Sequence, residues 1–221
     1  MNKQSGFTLI ELAIVLVIIG LLLGGVLKGQ ELINSAKVKN FASDFRNIPI
    51  YIYGYQDKYK ALPGDDAKAV ARVGAEKGGN GDGALSGSWT DSGAGSTSEA
   101  YNFWQHVRLA GLSTGSTDPT VSDWRPTNAD GNPIGIQAGT TDATKTAIQD
   151  KNSKAITGSY VICSTGILGK YVLQLDSTMD NGETDSGSML ATPTVSYALG
   201  AKSTATADID QAKSYIVCFG V

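Results

Sequence analysis

Histidine occurs once in this chain, at His106, and cysteine twice, at Cys163 and Cys218. With a single imidazole, a Ser/His/Asp or Cys/His catalytic set has only one possible centre, and nothing in the sequence around His106 looks poised. The residue reads as a surface or capping histidine. Zinc-type spacings of Cys and His are missing, and so is a phosphate-binding glycine loop with its lysine. Basic residues are also in deficit, 18 against 21 acidic ones, for a net charge of −3 and a pI near 5.1. No basic patch for nucleic acid is evident. These shortages leave no recognisable catalytic constellation.

Charge is missing altogether from Leu12 to Leu27. As a helix, Phe7 to Leu27 measures about 31 Å, enough for a hydrocarbon core of about 30 Å. A short polar start, Met1 to Gly6, precedes it, with Lys3 as its only charge. A secretory signal peptide would show a small-residue cleavage site after the apolar stretch. Here the small residue, Gly6, comes before it, and Val26-Leu27 continues the run past Gly24 and Gly25. One carboxylate, Glu11, sits at the start of the run. A charge within a membrane helix costs roughly 2.5–3.5 kcal/mol at the centre, so it reads as functional with a partner charge to be named.

The run Gly6-Phe7-Thr8-Leu9-Ile10-Glu11 resembles the class III leader of type IV prepilins and type II secretion pseudopilins, at every position of the motif. That resemblance implies cleavage between Gly6 and Phe7 by a prepilin peptidase and N-methylation of Phe7. It also implies that Glu11 meets the Phe7 amine of a neighbouring subunit. By the positive-inside rule Lys3 places the short end in the cytoplasm, and the rest of the chain then lies beyond the inner membrane.

Helical periodicity continues past the apolar run. Val38, Phe41, Phe45, Ile48, Ile52, Tyr55, Tyr59 and Leu62 alternate spacings of three and four, which makes one apolar stripe. Pro49 interrupts this without shifting its phase, so a kink is expected rather than a stop. Leu62-Pro63-Gly64 ends the pattern. One helix is therefore predicted over about Phe7 to Lys60, apolar all round at first and amphipathic later. Gly20, Gly24, Gly25 and Gly29 suit either close helix packing or local flexibility. The crowding of Tyr51, Tyr53, Tyr55 and Tyr59 reads as core and interface packing.

Beyond it the chain is rich in Gly, Ser, Asp and Asn. Ser96-x-x-Glu99 is a capping box, and a short helix is predicted over 97–110. Residues 111–158 read as loops. Strands are predicted at Tyr160–Cys163, Tyr171–Leu175 and Tyr215–Phe219, the first two joined as a hairpin through Gly166 and Gly169, with a weaker strand at Val195–Leu199. In an oxidising periplasm Cys163 and Cys218, 55 residues apart, are expected to close as a disulfide, with two buried free thiols as the alternative. The family resemblance points the same way, since a disulfide near the C-terminus frames a variable region in pilins. The expected fold is α+β, a pilin-like ladle: a long N-terminal helix packed on a small antiparallel sheet. Its segments are a leader at 1–6, a membrane or filament-core half helix at 7–28, an amphipathic half at 29–62, and a head at 63–221.

Asp176, Asp180, Glu183 and Asp185 cluster in a Gly-containing loop, which suits calcium and resembles the Asp-x-x-x-Asp-Asp-Gly-x-x-x-x-Gly loop of some minor pilins and pseudopilins, although Asn181 stands where that loop has its second consecutive Asp. A plain acidic turn is the alternative. Asn80-Gly81-Asp82-Gly83 matches a fragment of an EF-hand but has Trp89 at its twelfth position, so it reads as a turn. Leu62–Asp66, Gly79–Gly83 and Phe103–Leu112 together resemble one subgroup of minor pilin-like proteins.

The reading is a structural subunit, leaning to a minor pilin, without enzymatic activity. Its expected partners are prepilin peptidase, other pilin subunits, the assembly platform and the inner membrane. A minor pseudopilin of a type II secretion or competence system is the near alternative. A membrane-anchored periplasmic enzyme or binding protein is the distant one.

Overall fold

A computed structural model describes residues 8–92, 97–121 and 124–221. The protein is α+β, a long N-terminal helix with a small four-stranded antiparallel sheet. Helix α1 spans Leu9–Tyr59 and runs through Pro49. Two compact units divide within it, between Lys37 and Val38. In the first, the large apolar side chains from Leu9 to Leu27 are all at least 45% exposed. This part of the helix is long and apolar enough to cross a membrane.

In the second unit α1 supplies the stripe. Val38, Phe41, Phe45, Ile48, Ile52 and Tyr55 are buried, with Tyr59 half-buried at its end. Each fully buried Phe or Ile contributes roughly 1.5–3 kcal/mol relative to exposure. Around this stripe gather helix α3 (Glu99–Leu109), with helix α2 (Ala69–Val73) beside it, and then the sheet. Its strands are β1 (Ile134–Ala138), β3 (Tyr160–Leu168), β4 (Met189–Pro193) and β6 (Ser214–Gly220), in the order β1-β3-β6-β4 and all antiparallel. Two short strands, β2 (Ile148–Gln149) and β5 (Ala201–Lys202), pair separately.

The register sets Cys163 on β3 directly opposite Cys218 on β6, and the two form a disulfide. Both are fully buried, beside Trp89, Leu190 and Ile216 in a second apolar cluster.

Several expectations change. Tyr171–Leu175 is part of helix α4 (Gly169–Met179) rather than a strand, so β3 is followed by a helix and not by a hairpin. After Gly169 its buried residues are Tyr171, Val172, Leu175 and Asp176, a helical spacing that a β-rich composition concealed. Val195–Leu199 is a turn with Val195 exposed, and the edge strand β4 lies just before it. Within the supposed loop 111–158, β1 and β2 form. The cap of α3 is Ser98, whose hydroxyl accepts from the Tyr101 amide, while Ser96 lies outside the described residues.

Candidate functional site

Gly6 and Phe7 lie outside the described residues. Glu11 does not. Its Oε2 accepts hydrogen bonds from the Thr8 amide (2.8 Å) and the Thr8 hydroxyl (2.7 Å), and Thr8 Oγ1 accepts from the Glu11 amide (3.3 Å). Thr8-x-x-Glu11 is thus a reciprocal capping box at the start of α1. Within the single chain Glu11 thus has hydrogen-bond partners of its own, both on Thr8. It satisfies amides that a helix start leaves open. The arrangement still leaves the carboxylate exposed at the end of an apolar helix. Gly20, Gly24, Gly25 and Gly29 have open space within 4 Å of where a Cβ would stand, so their surfaces are available for close approach.

Residues 1–27 match the Prokaryotic N-terminal methylation motif, the class III prepilin leader of type IV pilins and pseudopilins. The match covers the leader and the apolar first half of α1, 27 of the 221 residues. No curated protein and no solved structure matches it.

In the head, three stretches the sequence singled out come together. Asp65, buried, accepts from the amides of Gly81 (2.6 Å), Asp82 (3.2 Å) and Gly83 (2.8 Å). Gly81 and Gly83 hold φ of 77° and 86°, a backbone that other residues rarely adopt. Glu99, at the start of α3, accepts from the amides of Asn80 (2.9 Å) and Ser86 (2.8 Å). Oxygens of Asp65, Asp82 and Glu99 lie within 4.8 Å of one another. The backbone amides already satisfy the two buried carboxylates, so the arrangement is a clasp that folds the glycine loop onto α3. Asp65→Ala is expected to lower the head's stability by at least about 3 kcal/mol, since bonds to a charged acceptor contribute roughly 1.5–3 kcal/mol each. Asp65→Asn, which keeps one acceptor oxygen, should lose less. Urea unfolding of the full chain in detergent measures both.

His106 belongs to the same clasp. It is fully buried, and its Nδ1 accepts from the Gly64 amide (2.8 Å) while Nε2 lies 2.8 Å from the Lys77 carbonyl. It stacks on Tyr55. Burial holds its pKa below the ordinary histidine value. The sequence reading of a surface or capping residue is corrected: the ring ties two loop segments together across the core. Tyr55 in turn donates to Asp66, which also takes Arg72 (2.9 Å).

The four acidic residues considered for calcium are engaged elsewhere. Asp176 Oδ1 accepts from the Gly182 amide, and Asp180 Oδ2 accepts from the amides of Ser188 and Met189. Glu183 pairs with Lys151 at 3.1 Å, with Asp185 3.9 Å from the same ammonium. An ammonium next to two of the four carboxylates does not fit a calcium cage. Asp176 Oδ2 is buried without a partner, and burial pushes this carboxyl up to about 6. The native state then holds the Asp176 proton more tightly than the unfolded state, so the stability this group contributes falls as pH rises from about 4 to about 6. Asp176→Asn should gain on the wild type across that window and keep a constant lead above it, read from urea midpoints.

Proposed function

We propose that this chain is a structural, non-catalytic subunit of a type IV pilus-like filament. It is held in the inner membrane by the first half of α1, with its head on the periplasmic side, until prepilin peptidase cuts between Gly6 and Phe7 and the new amine is methylated. Glu11 then meets the Phe7 amine of a neighbouring subunit, and the apolar half of α1 moves from lipid to a bundle of like helices. The observation that carries this reading is the leader motif running directly into a helix whose apolar side chains have no cover within the chain.

A pseudopilin of a type II secretion or competence system shares this physics. The disulfide that closes the last strand favours a pilin. The anchored-enzyme reading is disfavoured by His106, whose ring nitrogens are both occupied in the core. The test is shearing of surface filaments from cells with and without prepilin peptidase. The expected result is processed chain in the sheared fraction only when the peptidase is present. Processed chain that stays monomeric in the membrane fraction would contradict the proposal, and copy number in the filament separates a minor from a major subunit.

A further inference from the structure

Asp44 carries a charge that its own head domain does not answer. It lies on α1 at the flank of the apolar stripe and is half-buried. Among the described residues no hydrogen bond or ion pair reaches its carboxylate, and burial alone pushes its pKa up to about 6. A neighbouring cation or a donated hydrogen bond would have pulled it the other way.

Two cavities meet at this side chain. One, of about 140 Å³, is lined among others by Asn47, Tyr51, Trp104 and Thr114. The other, of about 300 Å³, is lined by Asn40, Ser43, Thr127 and Asn128. Among the described residues, Asp44 is the one charged residue lining either of them. The site therefore offers a carboxylate surrounded by neutral amide and hydroxyl groups, which suits a cationic side chain with several donors.

The same stretch of α1 carries such side chains. Lys39 and Arg46 are exposed, and among the described residues no salt bridge involves either. At about 100° per residue they project together, roughly 140–160° around the helix from Asp44. They lie on the far side of their own helix and cannot serve their own Asp44. They are placed to serve the Asp44 of a helix alongside. A contact that joins one face to a different face of an identical chain is heterologous, and when it does not close into a ring it propagates a filament.

We propose that Asp44 and its two cavities receive the Arg46 guanidinium of a second copy of this chain, fixing the side-by-side register of neighbouring heads. This rests on the filament reading above. Arg46 is assigned before Lys39 because its planar fork can bond the carboxylate and a wall amide or hydroxyl at once.

Co-expression of full-length Asp44→Cys and Arg46→Cys chains, treated with a short thiol cross-linker, tests the contact in both the membrane and the sheared fractions. The mixed cross-link should exceed the Asp44→Cys self-cross-link at least tenfold. Asp44→Asn should raise the melting temperature of the detergent-solubilised chain by a few degrees while cutting its share of sheared filaments at least fivefold. Asp44→Lys and Arg46→Asp chains should each be excluded when alone and assemble when mixed. An Asp44→Asn chain that melts lower, or that assembles like the wild type, overturns the proposal; so does a mixed cross-link no stronger than the self-cross-link. A stronger link from Lys39→Cys overturns the assignment to Arg46. Wild-type filaments without the mixed cross-link would sink the pairing and leave the filament reading intact. The cross-link in membranes with no wild-type chain in sheared filaments would do the reverse.

Discussion

Removing the disulfide with the pair Cys163→Ala and Cys218→Ala is expected to destabilise the head by about 4 kcal/mol. The link encloses a loop of 55 residues, and on the chain-entropy model a closure of that length restrains the unfolded chain by this amount. The loop holds α4, β4, and Leu190 and Ile216 of the second apolar cluster. Alanine is preferred to serine because both sulfurs sit in a fully buried apolar setting, where a hydroxyl would add an unsatisfied donor. For a chain of this size the expected fall in melting temperature is about 10 °C. The β3–β6 pairing has other support: Ile162 faces Phe219, Ser164 faces Val217, and the strands continue to Leu168 and Ser214. The double variant should therefore fold to the same structure with less stability. Unfolding of the variant, the oxidised wild type and the reduced wild type, all as full-length chain in detergent, measures the effect. Reduced wild type and variant should agree. A loss below about 1 kcal/mol would show that the strand register alone holds this end of the sheet.

The features that were legible in the sequence are those set by long patterns or scarce residues. The α1 stripe runs over seven spacings, so its phase survives Pro49 and its buried face was readable residue by residue. Two cysteines permit one pairing. The leader motif is six contiguous residues with an apolar run behind it. Short elements were not legible. Tyr171-Val172-Leu173-Gln174-Leu175 is as β-prone as a true strand, and only its buried partners on the sheet make it helical, which is tertiary context overriding propensity. Strand β1 was hidden by Gly135, a breaker in sequence. In the structure a Cβ there would collide with the Trp89 carbonyl, so the glycine admits a close approach rather than ending the strand. The Asp65 clasp leaves a trace in its three glycine- and acid-bearing stretches, but the bonds that unite them run from carboxylates to backbone amides and leave no residue pattern. By spacing Asp44 falls off the stripe, as a residue that is solvated or faces another subunit, and nothing in the sequence marks it as half-buried. Across from α1 its cavities are lined by Trp104, Thr114, Thr127 and Asn128, which no local pattern relates to that helix.

The second large effect concerns Glu11. Glu11→Ala is expected to leave the chain in the membrane at normal abundance and to reduce its incorporation into filaments to a tenth or less. Two roles compete to explain that outcome. As the end of a capping box Glu11 satisfies the Thr8 amide, which supports the first turn of α1 by roughly 1 kcal/mol. As a charge at the start of an apolar helix it is matched, in the assembled state, to the Phe7 amine of a neighbour. Removing one partner of such a pair leaves an uncompensated charge in a low-dielectric core, at a cost of roughly 3–5 kcal/mol. The capping term is too small to account for exclusion from the filament, and the charge term is large enough. Thr8→Ala, which weakens the box and keeps the carboxylate, should assemble at near wild-type levels.

Glu11→Gln separates the two roles in one substitution. Glutamine serves the same position of a capping box as glutamate does, so the helix start is retained, and only the charge is gone. The decisive measurement is the amount of Glu11→Gln chain in sheared filaments, normalised to its amount in the membrane. A level at or below a tenth of the wild type is the expected result. A level equal to the wild type would contradict the assembly role and leave Glu11 as a helix cap alone.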